Sequence, residues 1–228
     1  SYEEYTNRRD VIMNGNKITT QIQNFGSISS PGNVITDIVW NGLGYGYEFG
    51  PFVLAEVEVD GPGAHPDEFI KRDENGAPVL DDDGNPIYMV HIVSDGIVSN
   101  GGETSPDGRE AWGWSPVPCA ASVGNFDGLV VVNNESEAIP TSDARDRDLD
   151  GKPDSWPSAW YNPNLEQFVW PGALQQGASN ADQETLYFMN DYNNKEFPYY
   201  PFPSDTTKRG LGLEVETRIY QWSNPLAE

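Results

Sequence analysis

Apolar and polar residues alternate along much of the chain, with the period of two that is typical of β-strands with one buried face. In residues 211–222, apolar positions 211, 213, 215 and 219 share one face, while the charged positions 214, 216 and 218 share the other. Helical patterns are scarce. We therefore predict an all-β fold: an antiparallel, β-sandwich-like domain with long ordered loops and few helices. Other strands are predicted at 17–25, 34–40, 44–49, 52–59, 86–93, 129–132 and 184–189.

Turn residues separate these strands. Gly50-Pro51 predicts a hairpin or a sharp bend between 44–49 and 52–59. Asn75-Gly76 predicts a type I′ hairpin, and the acidic segment 81–86 is interpreted as a second hairpin turn. Residues 60–90 are thus expected to form a hairpin excursion from the main body.

The length of 228 residues suits one large domain, so residues 1–228 are interpreted as a single β-rich domain. The stretch 135–183 is rich in loops and contains the most specific motif of the chain. So long an irregular stretch needs something that fixes it in place.

That motif is D-R-D-L-D-G-K-P-D at residues 146–154, which matches the first three-quarters of an EF-hand-type calcium loop. Ca²⁺ binds six to eight oxygen atoms, and alternating carboxylates supply several of them. Gly151 at position 6 permits the sharp turn. The predicted ligands are the carboxylates of Asp146, Asp148, Asp150 and Asp154 and the main-chain carbonyl of Lys152.

The loop departs from an EF-hand at position 12, where Pro157 replaces the bidentate glutamate, and no helical pattern precedes it. It resembles the calcium loops of thrombospondin type 3 and dockerin-like repeats. The resemblance implies a structural metal rather than a sensor. The alternative is a solvated acidic turn that binds no ion, because Asp and Gly are common turn residues.

The charge balance restricts the partners. Acidic residues number 36 and basic residues 13, giving a net charge of −23. Nucleic acids and anionic membrane surfaces would repel such a chain, whereas cations would be attracted. No apolar run reaches about 18 residues, so membrane insertion is not expected.

Several segments resemble the N-terminal regions of long secreted bacterial proteins, which often carry fibronectin type III-like domains and a C-terminal sorting domain. The resemblance implies secretion and placement at the cell surface, and a polypeptide that continues beyond Glu228; it implies no reaction. The segments are residues 14–26, 45–51, 90–96, 180–184 and 209–228.

Candidate catalytic groups are few. His91 precedes Ser94 and Asp95, but no G-x-S-x-G motif accompanies them, and a strand histidine is the simpler interpretation. Aromatic residues offer another chemistry, because exposed rings can stack on sugars. Core packing and contacts with a second copy of the chain are the alternatives. The candidate sugar-binding residues are Trp112, Trp114, Trp156 and Trp160.

The leading hypothesis is a non-catalytic, calcium-stabilised extracellular module with a structural or assembly role in a bacterial cell-surface or filament-forming protein. Its partners would be calcium, copies of itself or other cell-surface proteins. A carbohydrate-binding module that recognises glycans is the alternative, and a fragment of a secreted hydrolase is the third hypothesis.

Overall fold

The structure, a computed structural model, describes residues 7–30, 32–59, 67–96, 104–110, 112–123, 126–130 and 138–224. Within these ranges all pairs of strands are antiparallel, and the helices are short 3₁₀ turns at Asp67–Phe69 and Ser158–Trp160. The all-β prediction is confirmed. The strands are β1 (Asp10–Met13), β2 (Ile18–Gln23), β3 (Ile38–Trp40), β4 (Leu43–Gly46), β5 (Phe52–Val59), β6 (Tyr88–Asp95), β7 (Ser115–Pro116), β8 (Cys119–Val123), β9 (Phe126–Val130), β10 (Tyr161–Asn162), β11 (Gln167–Phe168), β12 (Gln183–Asn190) and β13 (Glu214–Gln221).

The strands form one four-stranded sheet, β1-β2-β3-β4, and one three-stranded sheet, β13-β12-β7. The pairs β5-β6, β8-β9 and β10-β11 form separate ribbons. Side chains from β1 and β2 pack against β12 in one apolar core, so the two larger sheets form the two layers of a sandwich-like arrangement.

Strand β12 is the centre of the molecule. It pairs along its whole length with β13, and its other edge contacts β7 at one end and Thr141 at the other. Every residue of β12 from Gln183 to Met189 is buried. Since successive side chains of a strand point to opposite faces, β12 must be covered on both faces.

The two faces of β12 contribute to different cores. Tyr187 and Met189 face the core between the sheets, where they meet Met13, Ile22, Trp114 and Ile139. Leu186 and Phe188 face the opposite side, where they meet Trp156, Trp160 and Trp170. The three indole rings lie with their centroids 5.4–5.7 Å apart. A third core, formed mainly by β5 and β6, contains Val59, Tyr88, Val90 and Ile92.

A buried carboxylate connects β6 to the segment that follows β12. Asp191 accepts hydrogen bonds from the Ser94 hydroxyl at 2.9 Å and from the main-chain N–H groups of Leu211 and Leu213 at 2.7 and 2.8 Å. Both carboxylate oxygens therefore have partners, which a fully buried charge requires. This cluster fixes the third core relative to β12.

At the Gly50-Pro51 bend the chain leaves the four-stranded sheet and enters the β5-β6 ribbon. The hairpin alternative for 44–49 and 52–59 is wrong, because β4 pairs with β3 while β5 pairs with β6. The carbonyl of Pro51 accepts a hydrogen bond from the Trp114 indole at 3.1 Å, which holds the bend against the central core.

Residues 70–88, within the expected 60–90 excursion, form two successive short hairpins; residues 60–66 lie outside the described part. Isolated bridges pair Arg72 with Pro78 in the first hairpin and Leu80 with Pro86 in the second, and Ile70 pairs with Tyr88. The type I′ prediction at Asn75-Gly76 is wrong, because only Gly76 has a positive φ, of 80°. Asp73 instead accepts hydrogen bonds from the N–H groups of Asn75 and Ala77, each at 2.9 Å, which fixes a different turn.

The polar face of β13 is only partly exposed. Alternation places Arg218 on the same face as Glu214 and Glu216, but its side chain is buried and donates to Glu184 and Glu216, each at 2.6 Å. Glu184 is itself buried and accepts a second hydrogen bond from the Trp170 indole at 3.0 Å. The tryptophan core that covers this face explains the difference.

We expect the Arg218→Met variant to lose about 3 kcal/mol of unfolding free energy, because the buried Glu184 carboxylate would lose its cation. The double variant Glu184→Gln/Arg218→Met also removes the charge of the unpaired carboxylate and should therefore recover part of the lost unfolding free energy. Urea denaturation at neutral pH measures both. The control Arg109→Met removes an exposed ion pair with Asp107 and should cost less than about 1 kcal/mol. Equal losses in the two single variants would contradict the prediction.

Alkaline pH should weaken the fold through Tyr187. Burial raises the pKa of its hydroxyl from 10.0 to about 12, so the stability it contributes is complete below pH 10 and is lost as pH rises through about 12. The loss amounts to about 2–3 kcal/mol. The Tyr187→Phe variant should therefore show a shallower decline of unfolding free energy over this window than the native chain. Parallel declines would refute this assignment.

Candidate metal centre

The loop that contains the aspartates is attached to β12 at its start. Thr141 bridges to Thr185, and the N–H of Ser142 donates to the Glu184 carbonyl at 2.8 Å. The Ser142 hydroxyl accepts a hydrogen bond from the N–H of Glu184 at 2.9 Å. The entrance to the loop is thus held by the best-buried strand of the protein.

The end of the loop returns to the same place. The Trp156 indole lies in the tryptophan core and donates to the Thr141 carbonyl at 2.7 Å. The N–H of Thr141 donates to the Ser155 hydroxyl at 3.3 Å. These bonds join the two ends of the loop, so residues 142–155 form a closed excursion from the core.

Within the loop, backbone geometry turns the chain around its own carboxylates. Gly151 has φ 91°, as expected for the glycine at position 6, and Leu149 has φ 61°. The N–H groups of Asp150 and Gly151 donate to the two carboxylate oxygens of Asp146 at 3.1 and 2.9 Å. The N–H of Asp154 donates to the Arg145 carbonyl at 2.8 Å and closes the turn.

Three of the predicted ligands converge. Asp146, Asp148 and Asp154 each offer a carboxylate oxygen, and these oxygens lie within 4.8 Å of one another. Asp146 and Asp154 are half-buried, whereas Asp148 is exposed. Carboxylates this close repel one another unless a cation or hydrogen bonds offset their charge. Oxygen atoms of this kind and spacing suit a hard cation such as Ca²⁺.

Of the other two predicted ligands, Asp150 is placed differently, because its carboxylate lies outside this group and accepts a hydrogen bond from the N–H of Lys152 at 2.8 Å. The main-chain carbonyl of Lys152 stays a predicted ligand. The Lys152 ammonium approaches the Trp156 carbonyl at 3.5 Å. Arg147 also lies close, with its Nε 3.5 Å from Asp154 Oδ2. This exposed pair offsets only part of the negative charge, because solvent screens it.

Other acidic turns serve as a contrast. Asp81 accepts hydrogen bonds from the N–H groups of Asp83 and Asn85 at 2.9 and 2.8 Å, in agreement with its interpretation as a hairpin turn. Backbone hydrogen bonds lower the pKa of the Asp73 and Asp81 carboxyls. In the described residues, only the group around Asp146 brings three metal-ligating side chains together.

The predicted sugar-binding tryptophans do not form a platform. Trp114, Trp156 and Trp160 are only 1%, 8% and 5% exposed, which excludes stacking of a sugar on their faces in this structure. Trp112 is half-buried and does not share a strand face with Trp114, because β7 begins at Ser115. The core-packing alternative therefore describes three of the four residues.

Sequence analysis missed one group of exposed aromatic residues. They occur in the short β3-β4 hairpin, in the segment that follows it and at the start of β5. Trp40 and Tyr45 lie with ring centroids 5.8 Å apart. The exposed apolar residues of this segment are Trp40, Leu43, Tyr45, Tyr47, Phe49, Phe52 and Leu54.

Ser94 and His91 are not arranged as a catalytic pair. His91 is exposed on β6, whereas Ser94 is buried and points to the opposite face of the strand. The Ser94 hydroxyl donates to Asp191. This geometry agrees with the interpretation of His91 as a strand histidine; His65 lies outside the described residues.

No family model, curated protein or solved structure matches the chain. Among the described residues, no helix combines the length and apolar character needed to cross a membrane.

Proposed function

We propose that this chain is a non-catalytic, calcium-stabilised extracellular module with a structural or assembly role at a bacterial cell surface. The observation that carries the proposal is the convergence of Asp146, Asp148 and Asp154 within 4.8 Å, in a loop whose two ends are fixed to the core. An ion held there would fasten the chain between Thr141 and Trp156 without acting on a distant element.

The expected contribution of the ion is modest. Extracellular calcium modules have dissociation constants of about 0.1–1 mM. At about 1 mM calcium, such a site stabilises the folded state by about 0.4–1.4 kcal/mol. This magnitude suits a permanent brace in a calcium-rich medium. The net charge of −23 also favours cations over anionic partners.

Exposed apolar residues support the assembly part of the proposal. Seven large apolar side chains are exposed between residues 40 and 54. Large exposed apolar patches on soluble proteins mark sites of interaction with other proteins. The resemblance to secreted bacterial cell-surface proteins supports the same setting.

Calcium should raise the melting temperature of the native chain by about 1–4 °C relative to a chelator, as expected for about 1 kcal/mol in a chain of this size. The Asp146→Asn/Asp148→Asn variant should lose this response. Differential scanning calorimetry with calcium and with a chelator measures the shift.

The matched control is Asp82→Asn/Asp83→Asn. It changes the net charge by the same amount in another acidic turn and retains the Asp81 carboxylate that fixes that turn. The control should respond to calcium like the native chain. A calcium response that persists in the Asp146→Asn/Asp148→Asn variant would exclude the loop as the site.

A further inference from the structure

Strand β5 lies at the edge of its ribbon. It pairs with β6 along eight consecutive positions, from Phe52 opposite Asp95 to Val59 opposite Tyr88, without a register shift. No other described residue pairs with β5. Within the part of the chain that the structure describes, one long side of this strand is therefore open.

The hydrogen bonds of β6 show which groups of β5 face outward. The carbonyls of Val93 and Asp95 accept hydrogen bonds from the Asn194 side chain at 2.7 Å and the Trp114 N–H at 3.2 Å, so they point away from β5. Their partners Leu54 and Phe52 are consequently in non-hydrogen-bonded pairs. By the same alternation, the residues that direct both N–H and C=O away from β6 are Phe52, Leu54, Glu56 and Glu58.

The open edge has only part of the usual protection against strand pairing, namely the charges of Glu56 and Glu58. Natural proteins protect exposed edges with charged side chains, especially lysine, with proline or with a β-bulge. Residues 52–59 read F-V-L-A-E-V-E-V, with no lysine or proline, and the unbroken register excludes a bulge. The outward side chains are also accessible: Phe52 is 60% and Leu54 is 56% exposed.

The charges along the edge select the kind of strand that would fit. Glu56 and Glu58 are exposed and form no ion pair with the described residues. Lys71 and Arg72 line a groove that includes Glu56, but they follow Ile70, which pairs with the far edge of β6. The edge thus presents two apolar side chains followed by two acidic ones.

We infer that the outer edge of β5 binds an extended polypeptide strand with apolar residues opposite Phe52 and Leu54 and basic residues opposite Glu56 and Glu58. Main-chain hydrogen bonds would provide binding, and the alternating side chains would provide specificity, as in other cases of strand addition. A second copy of this chain fits less well, because each copy has a net charge of −23.

This inference rests on the proposed assembly role, for which it names a surface and a partner chemistry, but it does not require calcium. A suitable probe is the blocked peptide T-K-T-K-T-V-T-L-T. In the antiparallel orientation its lysines lie opposite Glu58 and Glu56, and its valine and leucine lie opposite Leu54 and Phe52. Fluorescence anisotropy of the labelled peptide measures binding to the whole chain.

Two control peptides separate edge pairing from charge attraction. N-methylation of the second lysine and the valine removes N–H groups that face β5, and we expect it to abolish binding. N-methylation of two threonines, whose N–H groups face away, should leave binding within about threefold of the parent. Equal binding of the two methylated peptides would overturn the inference, and so would undiminished binding when glutamate replaces both lysines.

Variants of the chain test the same contact. Leu54→Pro removes an outward N–H without breaking a β5-β6 hydrogen bond, and it should weaken binding about tenfold. The control Leu54→Val keeps that N–H and should bind within about twofold of the native chain. Phe52→Lys, a further variant with an intact backbone, should also weaken binding, because it replaces the apolar contact with the peptide's leucine by a charged side chain. Unchanged binding in both Leu54→Pro and Phe52→Lys would contradict the inference.

Hydrogen exchange locates the contact. On peptide binding, the amide protons of Phe52, Leu54, Glu56 and Glu58 should become protected, whereas those of the intervening residues are already protected by β6. Protection that depends on the concentration of the chain alone would identify a second copy as the partner and overturn the inference. If the peptide does not bind but calcium still raises the melting temperature, this inference is rejected and the calcium module is retained. If the peptide binds but calcium has no effect on the melting temperature, only the calcium site is rejected.

Discussion

The burial of β12 on both faces is the constraint on which the rest of the structure depends. A strand covered on both sides needs two apolar layers, and the sandwich supplies only one of them. The tryptophans at 156, 160 and 170 supply the other, although they belong to a segment with little regular structure. Their rings can cover β12 only if the segment that carries them is held in place.

Hydrogen bonds from β12 itself hold that segment. Ser142 and Thr141 lie against Glu184 and Thr185, and the Trp156 indole returns to the Thr141 carbonyl. At the same end of the strand, Glu184 connects Arg218 to Trp170. The apolar layer and the polar bonds are therefore interdependent: the rings exclude water from the ion pair, and the ion pair fixes one of the rings.

The positions of the strands could be predicted from the sequence, whereas the elements that pack on each strand could not. The apolar run at 184–189 located β12 to within one residue at each end, and alternation on one buried face located β13 within residues 211–222, of which the strand occupies 214–221. The same alternation could not show that Arg218 is buried, because it assigns a residue to a face without showing what packs on that face. For the same reason the pattern leaves open whether Trp114, Trp156 and Trp160 pack in a core or bind a sugar, and their burial decides for the core.

In the candidate metal site, too, the sequence predicts local geometry but not all of the contacts. Spacing identified Asp146, Asp148 and Asp154, whose convergence follows from a local turn. Spacing did not distinguish Asp150 from these three residues. Its carboxylate accepts a hydrogen bond from the N–H of Lys152, and the backbone geometry that determines this bond cannot be deduced from spacing. The open edge of β5 had no sequence signal, since an edge strand and an interior strand can share the same pattern.

The joining of the loop's two ends at Thr141 and Trp156 has a consequence for how far the loop tolerates changes of sequence. Because the indole and the carbonyl already close the excursion, the residues between them can be replaced, shortened or extended without moving the rings that cover β12. The acidic loop is thus an insert whose two ends the core fixes independently of the metal-ligating residues.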